Sequence, residues 1–288
     1  MFRRLLNRIK IDGFLSIFKI PITKFKMHLY APNVVVEKCK IITTCLGSQY
    51  GGKRFFDFHE LFETTIVSCG LGEDASFDIQ FAQNYNAKVI ILDPTPKAIT
   101  HFEDIKEIIG TSSIALDKAS WSKDIKEYNL TGINHNQLVL EKFALWTNHE
   151  SLRFFAPKNP KHTSYSITNY QNEYKLDSDF EHIMVESVTI ESILSKYNIK
   201  KLQFLKLDIE GAEIEVLKDM LKKKIYPTQI AVEFDGLNHP SKRAKLDCEE
   251  VDRLLRQHGY LCYDFDGIAD FLYVLSSRVD AELIKYTK

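Results

Sequence analysis

The chain has 288 residues, 44% of them hydrophobic and 27% charged, with 38 Lys+Arg against 39 Asp+Glu and a formal net charge of −1. The apolar content excludes intrinsic disorder, and 12 Gly and 8 Pro without a period exclude collagen-like or repeat architectures. The near-zero charge argues against a dedicated nucleic-acid binder, which needs a concentrated basic face, and no run reaches the roughly 18–20 apolar residues of a membrane span.

The first 29 residues are basic and amphipathic: Leu5 and Ile9, with Phe14, Ile17 and Phe18, can share one helical face, opposite Arg3, Arg4, Arg8 and Lys10. Such a segment either makes peripheral contact with a membrane or partner, through residues 1–26, or packs on its own domain. Asn7, Arg8, Lys10 and Asp12 interrupt it too often for a signal peptide. VVVEKCKIITT (34–44) reads as a strand, which places an N-terminal helix-and-strand extension over 1–45 and the main domain over 46–288.

From there strands and helices alternate. A Gly-containing turn, GSQYGG (47–52), precedes a strand at 64–69, a helix within 73–86, a continuous apolar strand at 87–93 and a helix over 96–109. LVLEKFALW (138–146) reads as one strand, and 147–187 resists assignment, with a Tyr-rich, Pro- and Asn-bearing stretch of the lid or binding-loop kind. Then follow a helix (188–199), a strand (202–208), a helix (212–224), a strand (229–234), a helix (246–258) ending at Gly259, and two strands (260–265 and 270–276). Alternation at this period predicts an α/β fold, a doubly wound, mostly parallel seven-stranded sheet with a terminal antiparallel hairpin. Cys39, Cys45, Cys69, Cys248 and Cys262 show no CxxC pair. An odd, irregular set is neither a disulfide framework nor a zinc site and reads as reduced thiols in a cytoplasmic protein.

Three motifs carry chemistry. In VSCGLGEDASFD a strand enters Gly70-Leu71-Gly72 and a helix opened by Glu73 and Asp74, where glycine permits a sharp turn and close backbone approach to a ligand. The next strand ends at Asp93-Pro94, an acidic residue about 20 positions beyond the turn, placed for the ribose hydroxyls of an adenosyl ligand; Asp before Pro also serves as a plain helix cap. In FLKLDIEGAEIEVLKDM, Asp208 and Glu210 follow a strand and face the same crevice, where they can orient a hydroxyl, act as base or hold a divalent ion. Glu213 and Glu215 belong to the first helical turn, where negative charge is favourable.

FLKLDIEGAEIEVLKDM closely resembles the signature of FkbM-type S-adenosylmethionine-dependent methyltransferases. VSCGLGEDASFD, VIILDPTP, FALW (143–146), IAVEF (230–234), FFAPKNPKHTSYSI and LGSQYGG resemble further elements of one branch, in order, over about residues 46–276. The resemblance implies a Rossmann-like class I methyltransferase domain over 46–288 and S-adenosyl-L-methionine as cofactor. It also implies O-methyl transfer to a sugar, glycan or natural-product hydroxyl, with Asp208, Glu210 and Glu233 as catalytic carboxylates. Gly70, Gly72, Glu73, Asp74, Asp93, Pro94 and Ala144 would hold the cofactor, and Tyr50, His162 and Tyr165 the acceptor. A metal, if used, would sit at Asp208 and Glu210. One departure stands out: Ser68 occupies the place where most members carry Asp, a loss that Glu73 or Asp74 would cover. The competing readings are a non-catalytic adenosyl-binding or scaffold protein that keeps the fold, and a nicotinamide-dependent oxidoreductase.

Overall fold

The computed structural model describes residues 25–109, 128–157, 164–172, 174–176 and 180–286. His162 and residues 1–24 of the amphipathic segment lie outside the described residues.

In chain order, β1 (Thr43–Leu46) and β2 (Lys53–Phe56) form an antiparallel hairpin. β3 (Thr65–Cys69) runs into α1 (Ser76–Tyr85), β4 (Lys88–Leu92) into α2 (Pro96–Ile108), and β5 (Leu138–Glu141) follows. β6 (Ala144–Leu145), β7 (Ser151–Phe155) and β8 (His182–Val188) precede α3 (Ile190–Lys196). Then come β9 (Phe204–Leu207), α4 (Glu213–Lys222), β10 (Gln229–Glu233), α5 (Lys242–Gln257), β11 (Tyr260–Phe265), β12 (Asp270–Leu275) and α6 (Ser276–Tyr286).

Seven strands make the main sheet in the order β11-β12-β10-β9-β3-β4-β5. The expectation of a mostly parallel sheet is corrected to a mixed one: β10, β9, β3, β4 and β5 pair in parallel, and β12 pairs antiparallel with both β10 and β11. Residues 266–269 between β11 and β12 are too few for a crossover, so the chain can only fold straight back, and the parallel run stops there. The parallel strands read as unbroken apolar runs because helices cover both faces. α1, α2 and the β1–β2 hairpin close one core, and α3, α4 and α5 the other.

The β1–β2 hairpin matters for the site. Phe55 inserts among Phe77, Phe81 and Phe204, with ring centroids 5.5–6.4 Å away. The Gln229 side chain accepts from Phe56 N and donates to Phe56 O, both at 2.8 Å. These contacts fix the turn 47–52 over the sheet's carboxyl end.

Four sequence expectations change. Strand pairing begins at Thr43 rather than at 34, because Val34–Ile42 finds no sheet edge beyond a bridge between Val36 and Cys262; the 45/46 boundary therefore falls inside β1. The strand expected over 138–146 divides after Glu141, since β5 is the edge of the main sheet and β6 is free to pair with β8. The unassigned 147–187 contains the β7–β8 hairpin, part of a second sheet ordered β6-β8-β7. The chain also continues beyond β12 into α6, whose Val279 is buried against the first core. All five cysteines are free thiols, and no described helix is long and apolar enough to cross a membrane.

Candidate functional site

A cavity of about 520 Å³ opens at the carboxyl ends of β3, β4, β9 and β10, where open α/β sheets bind ligands. On one side it is apolar, lined by Leu92, Ala144, Leu145 and Phe154. On the other it is acidic.

The glycine turn forms the upper wall. Gly70 has φ +86°, and a Cβ there would stand 1.8 Å from the Asp208 carbonyl oxygen, so only glycine lets β3 and β9 approach this closely. Asp93 braces the turn from the end of β4. Its Oδ2 accepts from Leu71 N (2.9 Å) and Gly72 N (3.0 Å), and its Oδ1 from Thr95 N (2.9 Å) and Thr95 Oγ1 (2.6 Å). An ionised carboxylate offers about four acceptor positions, and the protein fills them all. Asp74 similarly ties two segments together: Oδ2 accepts from Ser48 Oγ (2.6 Å) and Oδ1 from Ser76 N (2.9 Å), pinning the 47–52 turn to the start of α1.

The floor is the turn after β9. Glu210 sits at φ +55° and Gly211 at +101°, a left-handed pair that its surroundings hold in place. Glu210 N donates to Asp235 Oδ2 (2.8 Å), Ser166 Oγ donates to Glu210 O (2.6 Å), and Tyr170 Oη donates to Glu210 Oε2. Glu213 is buried and accepts from Ile209 N and Gly211 N at 3.0 Å, so the first residue of α4 holds the turn that precedes the helix.

Two buried ammonium groups face these carboxylates. Lys53, 3% exposed, places Nζ 2.5 Å from Asp270, 2.8 Å from Glu233 and 3.4 Å from Asp208. Lys206 donates to Gly70 O and lies 3.9 Å from Asp208. Burial favours a neutral Asp208, but the two ammonium groups outweigh it and hold its carboxyl below the usual value. Glu210, Glu213 and Asp235 lack such cover. Burial pushes Glu210 up to about 8 against the hydroxyls of Tyr170 and Ser164, and Glu213 up to about 7. Burial and neighbouring carboxylates also drive Asp235 well upward. Asp270 rises to about 6, burial outweighing Lys53.

The structure brings to this cavity all the expected residues it describes: Gly70, Gly72, Glu73, Asp74, Asp93, Pro94, Ala144, Tyr50, Tyr165, Asp208, Glu210 and Glu233. Tyr50 stands at the mouth, 71% exposed, and its hydroxyl is pushed up to about 12 by desolvation and by Asp208, Glu210, Glu233 and Asp235. The metal pair read as Asp208 and Glu210 is not tested by an ion; among the described residues the three acids whose carboxylate oxygens lie within 4.8 Å of one another are Asp208, Glu233 and Asp235, while Glu210 accepts from Tyr170. Lys53 already supplies positive charge to two of those three.

Sequence reasoning misses Lys53, Lys206, Asp235 and Asp270. Two signals are visible in hindsight: a lysine inside the apolar run FLKLD, and a second acid directly after IAVEF.

The sequence profile of the methyltransferase FkbM domain matches residues 58–262. A crystal structure of methyltransferase FkbM from Methylobacillus flagellatus KT is similar at 12% identity and a TM-score of 0.42, covering 74% of this chain. The chain spans 44% of that protein's length. No curated protein matches.

Proposed function

The chain belongs to the methyltransferase FkbM family, and from that premise we propose that its cavity binds S-adenosyl-L-methionine and directs methyl transfer to a hydroxyl oxygen. The observation that carries this reading is the charge of the cavity. Burial keeps Glu210 and Asp235 toward their neutral forms, but Glu73, Asp74, Asp93, Asp208 and Glu233 also line it, whereas Lys53 and Lys206 are engaged with carboxylates and a carbonyl. Such a wall suits a sulfonium and an ammonium and repels the pyrophosphate of a dinucleotide. It also places acids at the helix N-terminus that a nicotinamide cofactor would use for its phosphates.

When bound, the cofactor supplies a methyl carbon made electrophilic by its sulfonium. The chain supplies alignment. Leu92, Ala144, Leu145 and Phe154 offer an apolar slot for adenine. Asp93, saturated by the turn it braces, shapes the adenosyl site, and Glu73 lines the same cavity. Asp208 stays ionised beside Lys53 and Lys206, so it would accept a hydrogen bond from the acceptor hydroxyl, orient its oxygen and take its proton, while the bound cofactor would give up its methyl group and be left as the neutral thioether. Glu233 lies beside it on the same ammonium. Tyr50 and Tyr165 line the open rim, where aromatic faces suit a sugar or natural-product acceptor. The 46–288 domain assignment and a cytoplasmic location belong to the same proposal, the latter supported by five free thiols.

The test is paired. Asp208→Asn is expected to retain S-adenosylhomocysteine binding and lose at least about 100-fold in turnover, the usual scale of acid–base assistance. Normal turnover by that variant removes Asp208 from the reaction.

A further inference from the structure

The residues ahead of β1 carry a charge unlike the rest of the chain. Residues 1–42 hold nine Lys and Arg against Asp12 and Glu37, whereas the remaining 246 residues hold 29 against 37. The described part of this stretch, from Phe25 onward, lies along the outer edge of the main sheet. Glu37 N donates to Cys262 O of β11 and Asn33 N to Glu249 Oε1 of α5, both at 2.8 Å, and Arg256 of α5 donates to Val35 O. Val34, Cys39 and Ile41 pack on the two cores. Glu37, the one acid between residues 25 and 42, pairs with Arg256 at 3.3 Å. The domain therefore already uses those side chains. The others face solvent: Val35 is 62% exposed, Val36 42% and Ile42 84%, with Phe25 (64%) and Leu29 (50%) before them. Lys26, Lys38 and Lys40 are exposed between them. A single exposed apolar side chain needs no explanation. Five of the thirteen large ones exposed among the described residues, gathered here with lysines as the outward charge, do need one.

We propose that residues 1–42 are a docking segment for an anionic lipid surface, the apolar side chains entering the headgroup boundary and the basic ones pairing with lipid phosphates. By sequence, residues 1–24 extend the same composition, with Leu5, Ile9, Phe14, Ile17 and Phe18 among six further Lys and Arg. Charge selects the occupant. A second copy of this chain, meeting it across a two-fold axis, would set these cations against one another. A nucleic acid would satisfy the lysines and leave Val35, Val36 and Ile42 in water. A lipid surface takes both. The inference does not depend on the methyltransferase reading, and the cavity plays no part in it.

The experiment sediments the full chain with vesicles of phosphatidylcholine alone and with about 30% phosphatidylglycerol, at about 0.1 and 0.5 M NaCl. Binding is expected to be at least about 10-fold stronger on the anionic vesicles and to fall at least about 5-fold at the higher salt. Lys26→Glu/Lys38→Glu/Lys40→Glu and Val35→Ser/Ile42→Ser should each weaken it at least about 5-fold while melting within about 2 °C of wild type, since the replaced side chains face solvent. A second measurement needs no variant. Trace acetylation of wild type, read by mass spectrometry, should slow at least about 3-fold at Lys26, Lys38 and Lys40 when anionic vesicles are added. Lys142, which follows β5 at the opposite edge of the sheet and is 54% exposed, should react as before. Equal binding to both vesicle types, variants that bind as wild type, or no protection of the three lysines overturns the proposal. So does wild type that ignores vesicles but elutes from gel filtration as a larger species than Val35→Ser/Ile42→Ser, which assigns the face to a second copy. If a variant melts lower, the acetylation pattern decides.

Discussion

Replacing Asp93 by Asn separates a bracing role from a ligand-binding one. The wild-type carboxylate accepts four hydrogen bonds, two from the glycine turn and two from Thr95. An amide has one acceptor oxygen. If that oxygen faces the turn, the amide NH2 meets the Thr95 backbone N–H; if it faces Thr95, the NH2 meets the N–H groups of Leu71 and Gly72. The first orientation is cheaper, because the Thr95 hydroxyl can reverse and accept, leaving one buried N–H without a partner. At about 1.5–3 kcal/mol for a lost charge-assisted bond, Asp93→Asn is expected to cost about 2–3 kcal/mol. For a domain of this size each kcal/mol lowers the midpoint by roughly 2–4 °C, so circular dichroism should show a fall of about 4–12 °C. S-adenosylhomocysteine binding should weaken alongside, because the turn loses its brace. A variant that melts within 1 °C of wild type yet loses binding would refute this reasoning and make Asp93 a direct ribose acceptor.

Other perturbations follow from the same geometry. Lys53→Met leaves Asp208, Glu233 and Asp270 facing one another without their shared ammonium, and urea unfolding should show a loss of about 3–5 kcal/mol; a loss below 1 kcal/mol contradicts the network. Glu210, raised from 4.5 to about 8 in the folded chain, binds more protons folded than unfolded in that window. Its contribution is therefore full below about pH 4.5 and lost as pH rises through about 8. Glu210→Gln should flatten the fall of the thermal midpoint across this range, and curves parallel to wild type would exclude the effect. Gly70→Ala places a Cβ 1.8 Å from the Asp208 carbonyl at φ +86°; left-handed strain of about 1–2 kcal/mol plus that clash should prevent folding, and a soluble variant with wild-type circular dichroism would disprove the close approach.

What could be read in advance follows physical lines. The strands at 64–69, 87–93 and 229–234 are legible because burial on both faces leaves continuous apolar runs, and the glycine turn because its geometry demands glycine. Val34–Ile42 looks the same locally yet finds almost no partner edge, and strand propensity without a partner does not make a strand. Gly70, Asp93, Asp208 and Glu210 announce themselves by position at strand ends. Lys53 and Asp270 do not, because their meeting depends on how the β1–β2 hairpin docks through Phe55 and Gln229 onto strands far away in sequence.

This acid-lined cavity is expected to take an adenosyl ligand that carries no pyrophosphate. Calorimetric titration of cofactor-stripped protein with S-adenosylhomocysteine, beside NAD, tests it most directly. Micromolar binding of S-adenosylhomocysteine and none of NAD is the predicted result. Binding of NAD, or of neither ligand by folded protein, would contradict it.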